Sequence, residues 1–217
     1  MKILNLDEAL DRAHDFRELV KSKSSGKATL LPVTKGFPPN VIEMLLSLGL
    51  NEVGESFAKE LLDKNTTLDD QSILWHMVGR VQRNKVKKIH SLISLWHSVD
   101  RKDLIDEISK YSPQARVLIQ VDVFDREAQG GCSVDNVESL LEYSIKKNLK
   151  VDGLMTVGLN EDRVATEMAF KQVAKFSSAL GLKEISMGMS EDFQIALDCG
   201  STILRIGRGI FGERPSK

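Results

Sequence analysis

The 217 residues carry 30 basic and 31 acidic side chains, a net charge of −1, and that balance asks for neither nucleic acid nor an anionic membrane. A hydrophobic content of 41% is ample for one domain with a large core, and no run approaches membrane-spanning length. Two widely separated cysteines, Cys132 and Cys199, lack metal-ligand spacing, and residues 1–10 carry acids in place of an apolar secretory core, so the expectation is a cytoplasmic protein with ordinary thiols.

Ile3, Leu6, Leu10, Ala13, Phe16 and Val20 recur at three- and four-residue steps, which predicts an amphipathic opening helix ended by the polar Lys21 to Gly26 stretch. Leu30 to Thr34 follows as a buried strand. It stops at Lys35, because Gly36, Phe37, Pro38 and Pro39 continue neither strand nor helix. Asn40 to Leu48 is a helix closed by Gly49. Further strands are expected at Asn51 to Gly54, Leu74 to Val78, Ser94 to Ser98, Val117 to Val123, Val151 to Thr156, Glu184 to Met187 and Ile203 to Gly207. Helices are expected at Asp100 to Lys110 with an acidic N-cap, at Val134 to Lys147 after Ser133, and at Asp162 to Leu180 ending at Gly181. Eight β units each followed by α, behind one extra helix, imply a single (β/α)₈ TIM barrel over residues 1–217. A doubly wound open sheet is the alternative, but the glycine-rich turn it needs after the first strand is absent and Lys35 stands there.

A barrel gathers its strand exits on one face. Lys35 at the first exit is either a surface lysine or a partly desolvated amine able to attack an aldehyde. At the seventh exit, Gly188 and Ser190 precede the helix containing Phe193 to Leu197, and at the eighth, Gly207-Arg208-Gly209 offers approachable amides. Both suit a phosphate. A lysine and a phosphate cradle together describe a pocket for a phosphorylated aldehyde, and pyridoxal 5′-phosphate is the candidate. Arg80, Arg83, Lys85, Lys87 and Lys88 form a basic run on a predicted helix, read as a solvated face, so nucleic acid is not expected as a partner. His76 lies inside the third strand as a barrel-lining histidine. His97, at the fourth exit, either lines the pocket or bonds Asp100.

Val33-Thr-Lys35, Val53-Gly-Glu-Ser56, Trp75 to Lys85, His97-Ser-Val-Asp100, Gly153-Leu-Met-Thr156, Ser186-Met-Gly-Met-Ser190 and Gly200 to Gly207 with Ile210-Phe-Gly212 resemble, in order and over almost the whole chain, the signatures of the YggS/PROSC family of pyridoxal phosphate homeostasis proteins. The resemblance implies a monomeric barrel similar to the N-terminal domain of alanine racemase, with Lys35 holding the cofactor as an internal aldimine. It implies that Arg205 faces the pyridine nitrogen and that Ser190, Gly207 and the Arg208 backbone hold the phosphate. Lys35, Ser56, His76, Met189, Ser190, Arg205, Gly207 and Arg208 are the expected cofactor-binding set. Ser56 stands where the family has asparagine, and Arg208 where it has threonine. PLP-dependent apo-enzymes are the implied recipients.

Three functions compete, a cofactor carrier with little or no catalysis, a PLP-dependent amino-acid racemase, and a nucleic-acid or protein adaptor working through the basic helix, which a borohydride-bleachable yellow colour would eliminate as the main role. Racemisation needs an acid/base opposite the lysine, a tyrosine in alanine racemase. The only tyrosines here are Tyr111, leading into the fifth strand, and Tyr143, inside a helix. Both are expected far from the exits, which favours the carrier.

Overall fold

A computed structural model describes residues 4–126, 129–159 and 161–214. Eight strands alternate with helices, in the order α1 Leu6–Lys23, β1 Thr29–Pro32, α2 Asn40–Ser47, β2 Glu52–Glu55, α3 Ala58–Leu68, β3 Leu74–Met77, α4 Arg83–Ile89, β4 Ile93–Val99, α5 Lys102–Tyr111, β5 Arg116–Gln120, α6 Val137–Lys146, β6 Lys150–Met155, α7 Arg163–Ala179, β7 Glu184–Ser186, α8 Phe193–Asp198, β8 Ile203–Ile206 and α9 Arg208–Phe211. Every strand pair is parallel, in the order β1-β8-β7-β6-β5-β4-β3-β2. A parallel bridge between Val33 and Gly54, with the Thr34 amide donating to Gly54 O at 3.0 Å, joins β1 to β2 and closes the barrel. No described helix is long and apolar enough to cross a membrane.

Inward and outward side chains alternate along each strand, and the core divides accordingly. Leu31, Leu95, Leu118, Met155 and Ile203 fill part of the barrel interior, while Leu30, Val53, Trp75, Trp96, Leu154 and Leu204 belong to the larger layer between strands and helices. The extra helix α1 is capped by Asn5, whose side chain accepts from the Asp7 and Glu8 amides, and its last turn carries Lys21 and Lys23, opposite in sign to its first. It lies over the β1–β8 seam: Arg12 Nε donates to Ile210 O at 2.6 Å, and Phe16 meets the Phe193 edge with ring centroids 5.2 Å apart. Ile3, expected to begin its apolar stripe, lies outside the described residues. Across the same seam Phe37 packs on Phe211, centroids 5.0 Å apart.

Three local expectations need correction. The fifth strand ends at Gln120 instead of Val123, because the Asp122 carboxylate accepts from the Phe124 and Arg126 amides and turns the chain. Asp100 does not cap α5. It is held by Arg101 Nη1 at 2.6 Å and by the Gly131 amide at 3.2 Å, leaving Arg101 as the N-cap residue. Residues 134–136 form a separate 3₁₀ turn before α6. Asp162, expected as the first residue of its helix, is instead the N-cap of α7, accepting from the Ala165 amide at 2.9 Å.

Candidate functional site

At the C-terminal mouth of the barrel the strand exits enclose a cavity of about 660 Å³, within the range typical of small-molecule sites. Lys35, Ser56, Met189, Ser190, Arg205, Gly207 and Arg208 all line it, as do Val33, Val78, Met155 and Val157. Five cationic side chains, Lys35, Arg80, Arg205, Arg208 and Arg214, face three acidic ones, Glu191, Asp192 and Glu213. The excess of positive charge favours an anionic occupant.

Lys35 projects from the turn that follows β1. That turn is held by a buried ammonium, because Lys64 Nζ donates to Thr34 O at 2.7 Å, Glu55 Oε1 at 2.5 Å and Glu60 Oε1 at 2.8 Å. Glu60 in turn accepts the Gly36 amide at 2.6 Å, and Thr34 Oγ1 donates to Glu55 at 2.6 Å. The backbone on both sides of Lys35 is therefore fixed by one ionic cluster. Burial holds the Lys35 ammonium below the usual lysine range, and the Arg214 and Arg205 charges push in the same direction against Glu55 and Glu60. Arg214→Ala is expected to raise the titration midpoint of Lys35, read by competitive acetylation and mass spectrometry across pH. An unchanged midpoint would show that the Arg214 charge does not reach Lys35.

Arg205 rises from β8 and is 4% exposed. Its Nη1 donates to Ser186 Oγ at 2.7 Å and its Nη2 to Thr156 O at 2.9 Å. Burial lowers its pKa to about 10, with Asp192 opposing, so it stays a cation at neutral pH and can only donate.

The seventh and eighth exits are stitched together by Ser190, whose Oγ accepts the Gly209 amide at 2.9 Å. Met189 N donates to Asp192 Oδ1 at 2.5 Å. Among the described residues, the amides of Ser190 and Arg208 donate to no protein acceptor. A Cβ on Gly188 (φ +94°) would come within 2.5 Å of Ala196 Cβ, and one on Gly207 within 3.2 Å of Val33 O. The first contact excludes a side chain at Gly188, and the second makes one at Gly207 tight against the β1 backbone where Gly207 lines the cavity. Unpaired amides beside a cationic cavity fit a phosphate, and the depressed amine fits an aldehyde.

The structure does not bring His76 to the cavity. Two residues before the cavity-lining Val78, it faces the interior one layer below, with Nδ1 3.0 Å from His97 Nε2, and burial lowers its pKa to about 4. His97 bonds neither a pocket group nor Asp100. Arg80 is not on a helix either. It precedes α4 and lines the cavity, while Arg83 pairs with Asp103 and Glu107 at 4.0 and 3.6 Å. Ser98, Gln120, Gln129 and Arg214 also reach the cavity without being expected there. Ser98 and Gln120 lie at or beside exits of recognised strands and were legible in principle, whereas Arg214 had no periodic signal.

A parallel barrel with a lysine at its first exit and unpaired amides at its last two defines a class, and residues 10–215 match the family "Alanine racemase, N-terminal domain". The pyridoxal phosphate homeostasis protein of Aquifex aeolicus (strain VF5) is 39% identical over 199 residues, covering 86% of this chain and 87% of its own. That of Pseudomonas aeruginosa is 32% identical over 210 residues, covering 92% and 91%. PipY of Synechococcus elongatus PCC7942, solved with PLP bound, superposes with a TM-score of 0.81 at 27% identity, covering 94% of this chain and 100% of that one. Alanine racemase from Corynebacterium glutamicum shares the fold, with a TM-score of 0.70 at 17% identity over 98% of this chain and 62% of its own. The chain belongs to the pyridoxal phosphate homeostasis protein family.

Proposed function

We propose that this protein binds pyridoxal 5′-phosphate covalently through Lys35 and serves intracellular homeostasis of the cofactor as a carrier or buffer, with little or no catalysis. The observation that carries the reading is a single cavity in which the depressed Lys35 amine, the Arg205 guanidinium and the unpaired Ser190 and Arg208 amides converge. Pyridoxal phosphate supplies an aldehyde that condenses reversibly with a primary amine, releasing water. Lys35 is that amine. The Ser190 and Arg208 amides bind the phosphate, with Gly207 admitting it. Arg205 donates to the ring nitrogen, and Val33, Val78, Met155 and Val157 exclude water from the ring faces. A monomer acting in the cytoplasm and passing its cofactor to PLP-dependent apo-enzymes completes the proposal.

Racemisation is the competing activity. It needs a second acid/base across the ring from the lysine, yet neither Tyr111 nor Tyr143 lines the cavity; the Tyr143 hydroxyl bonds Asp106 at 2.9 Å on the outer helical layer. A guanidinium at the ring nitrogen also keeps that nitrogen an acceptor, which weakens electron withdrawal from a substrate carbon. Loaded protein is therefore expected to exchange the α-proton of L- or D-alanine slowly in D₂O, followed by proton NMR. Turnover of about 1 s⁻¹ or more, ordinary for enzymes, would sink the carrier reading.

A further inference from the structure

Beneath Arg205 a file of polar side chains descends through the barrel interior. Arg205 Nη1 lies 2.7 Å from Ser186 Oγ, Ser186 Oγ 2.9 Å from His97 Nδ1, and His97 Nε2 3.0 Å from His76 Nδ1. His76 Nε2 then faces Glu52 Oε2 at 3.8 Å, and Glu52 is at the N-terminal end of β2, the opposite mouth of the barrel. Ser186 and His97 are fully buried and His76 is 5% exposed. Leu31, Leu95, Leu118, Met155 and Ile203 form the apolar part of the same interior.

We propose that Ser186, His97 and His76 are positioning residues for Arg205, forming a one-way hydrogen-bond chain in which every donor points away from the cavity. The direction follows from donor counting. A guanidinium only donates, so Ser186 Oγ must accept from Arg205. The single serine proton then goes to its other partner, His97 Nδ1. Burial keeps both imidazoles neutral at physiological pH, so each ring has one N–H and one lone pair. With Nδ1 accepting, His97 carries its proton on Nε2 and donates to His76 Nδ1, and His76 carries its proton on Nε2, toward Glu52. Reversing the Ser186–His97 or the His97–His76 link alone would set two donors or two lone pairs face to face inside a buried site. Anchored by Ser186 on one arm and Thr156 O on the other, the guanidinium is held in one orientation at the cavity wall. The direction of the chain depends on the protein alone; its use in holding a ring nitrogen rests on the function proposed above.

The test begins with ligand-free protein labelled with ¹⁵N-histidine. Two-bond ¹H–¹⁵N correlation spectra at neutral pH should show His97 and His76 as Nε2–H tautomers with unprotonated Nδ1, against His14 and His90 as the other two of four histidines. A His97 proton on Nδ1, or an imidazolium at either position, would overturn the chain. In His97→Gln the side-chain oxygen can accept from Ser186 and the amide nitrogen donate to His76, so His76 should stay Nε2–H; His97→Leu can do neither and should release that tautomer. Pyridoxal phosphate should bind His97→Gln nearly as tightly as wild type and His97→Leu about tenfold more weakly, the equivalent of one lost hydrogen bond, with a shifted cofactor absorption band. Equal affinity and an identical band in wild type and His97→Leu would remove the positioning role. If His97→Leu fails to fold, the wild-type tautomers and the His97→Gln variant still decide. Failure of wild type to bind pyridoxal phosphate would overturn the functional reading while leaving the tautomer result to judge the chain.

Discussion

Lys35→Ala protein incubated with pyridoxal phosphate and treated with borohydride is expected to yield no cofactor-bearing peptide, while wild type yields one, modified at Lys35. The contrast is all or none because the covalent bond needs an unprotonated primary amine inside the cavity, and among the described residues Lys35 is the only lysine lining it. Lys64 is close in the fold, yet it is 3% exposed and its ammonium is bound to Thr34, Glu55 and Glu60, so it cannot substitute. Noncovalent affinity should survive in part through Arg205 and the backbone amides. Modification at Lys85 or another lysine in wild type would refute the site.

The second large effect concerns that buried cluster. Lys64→Met leaves the Glu55 carboxylate, with its side chain fully buried, bound only to Thr34 Oγ1 and the Ser56 amide. Removing one partner of a buried ion pair typically costs about 3 to 5 kcal/mol, and urea denaturation should show a loss of that size. Replacing both partners, Lys64→Met with Glu55→Leu, should recover much of the stability, since no buried charge remains unpaired. Covalent capture by Lys35 should stay impaired in the double variant, because the turn bearing Lys35 has lost its anchor. A loss below about 1 kcal/mol in the single variant, the level of an exposed pair, would show that solvent enters the cluster.

The positions of the strands were readable because each is a short apolar run ended by a turn residue, and Lys35 was readable because a glycine and two prolines isolate it at such an end. What depended on three-dimensional registration was not. His76 looked like a pocket residue because an inward-facing position is visible in a strand, but its depth along the barrel axis is not, and two residues of rise separate the cavity floor from the layer below. The Lys64 cluster gave no local signal, since Thr34, Glu55 and Lys64 come from three elements that meet only after β1 and β2 pair. Asp100 resembled a helix cap, but the adjacent Arg101 side chain took it together with the Gly131 amide, which only the path of the loop after β5 brings there.

The seam between β1 and β8 pairs Leu31 with Arg205 and Pro32 with Ile206, joining the first and last of the eight strands in chain order. In the proposed reading the amine comes from one side of this seam and the phosphate amides from the other, so a growing chain has no complete receptor until its final strand docks. Ligand present at about 100 times its Kd would then stabilise the closed barrel by about 2.7 kcal/mol over any form in which the seam is open and the ligand cannot bind. The vitamin would serve as a clasp on its own carrier, and a cell short of it would hold a larger fraction of this protein with the ring of strands unfastened.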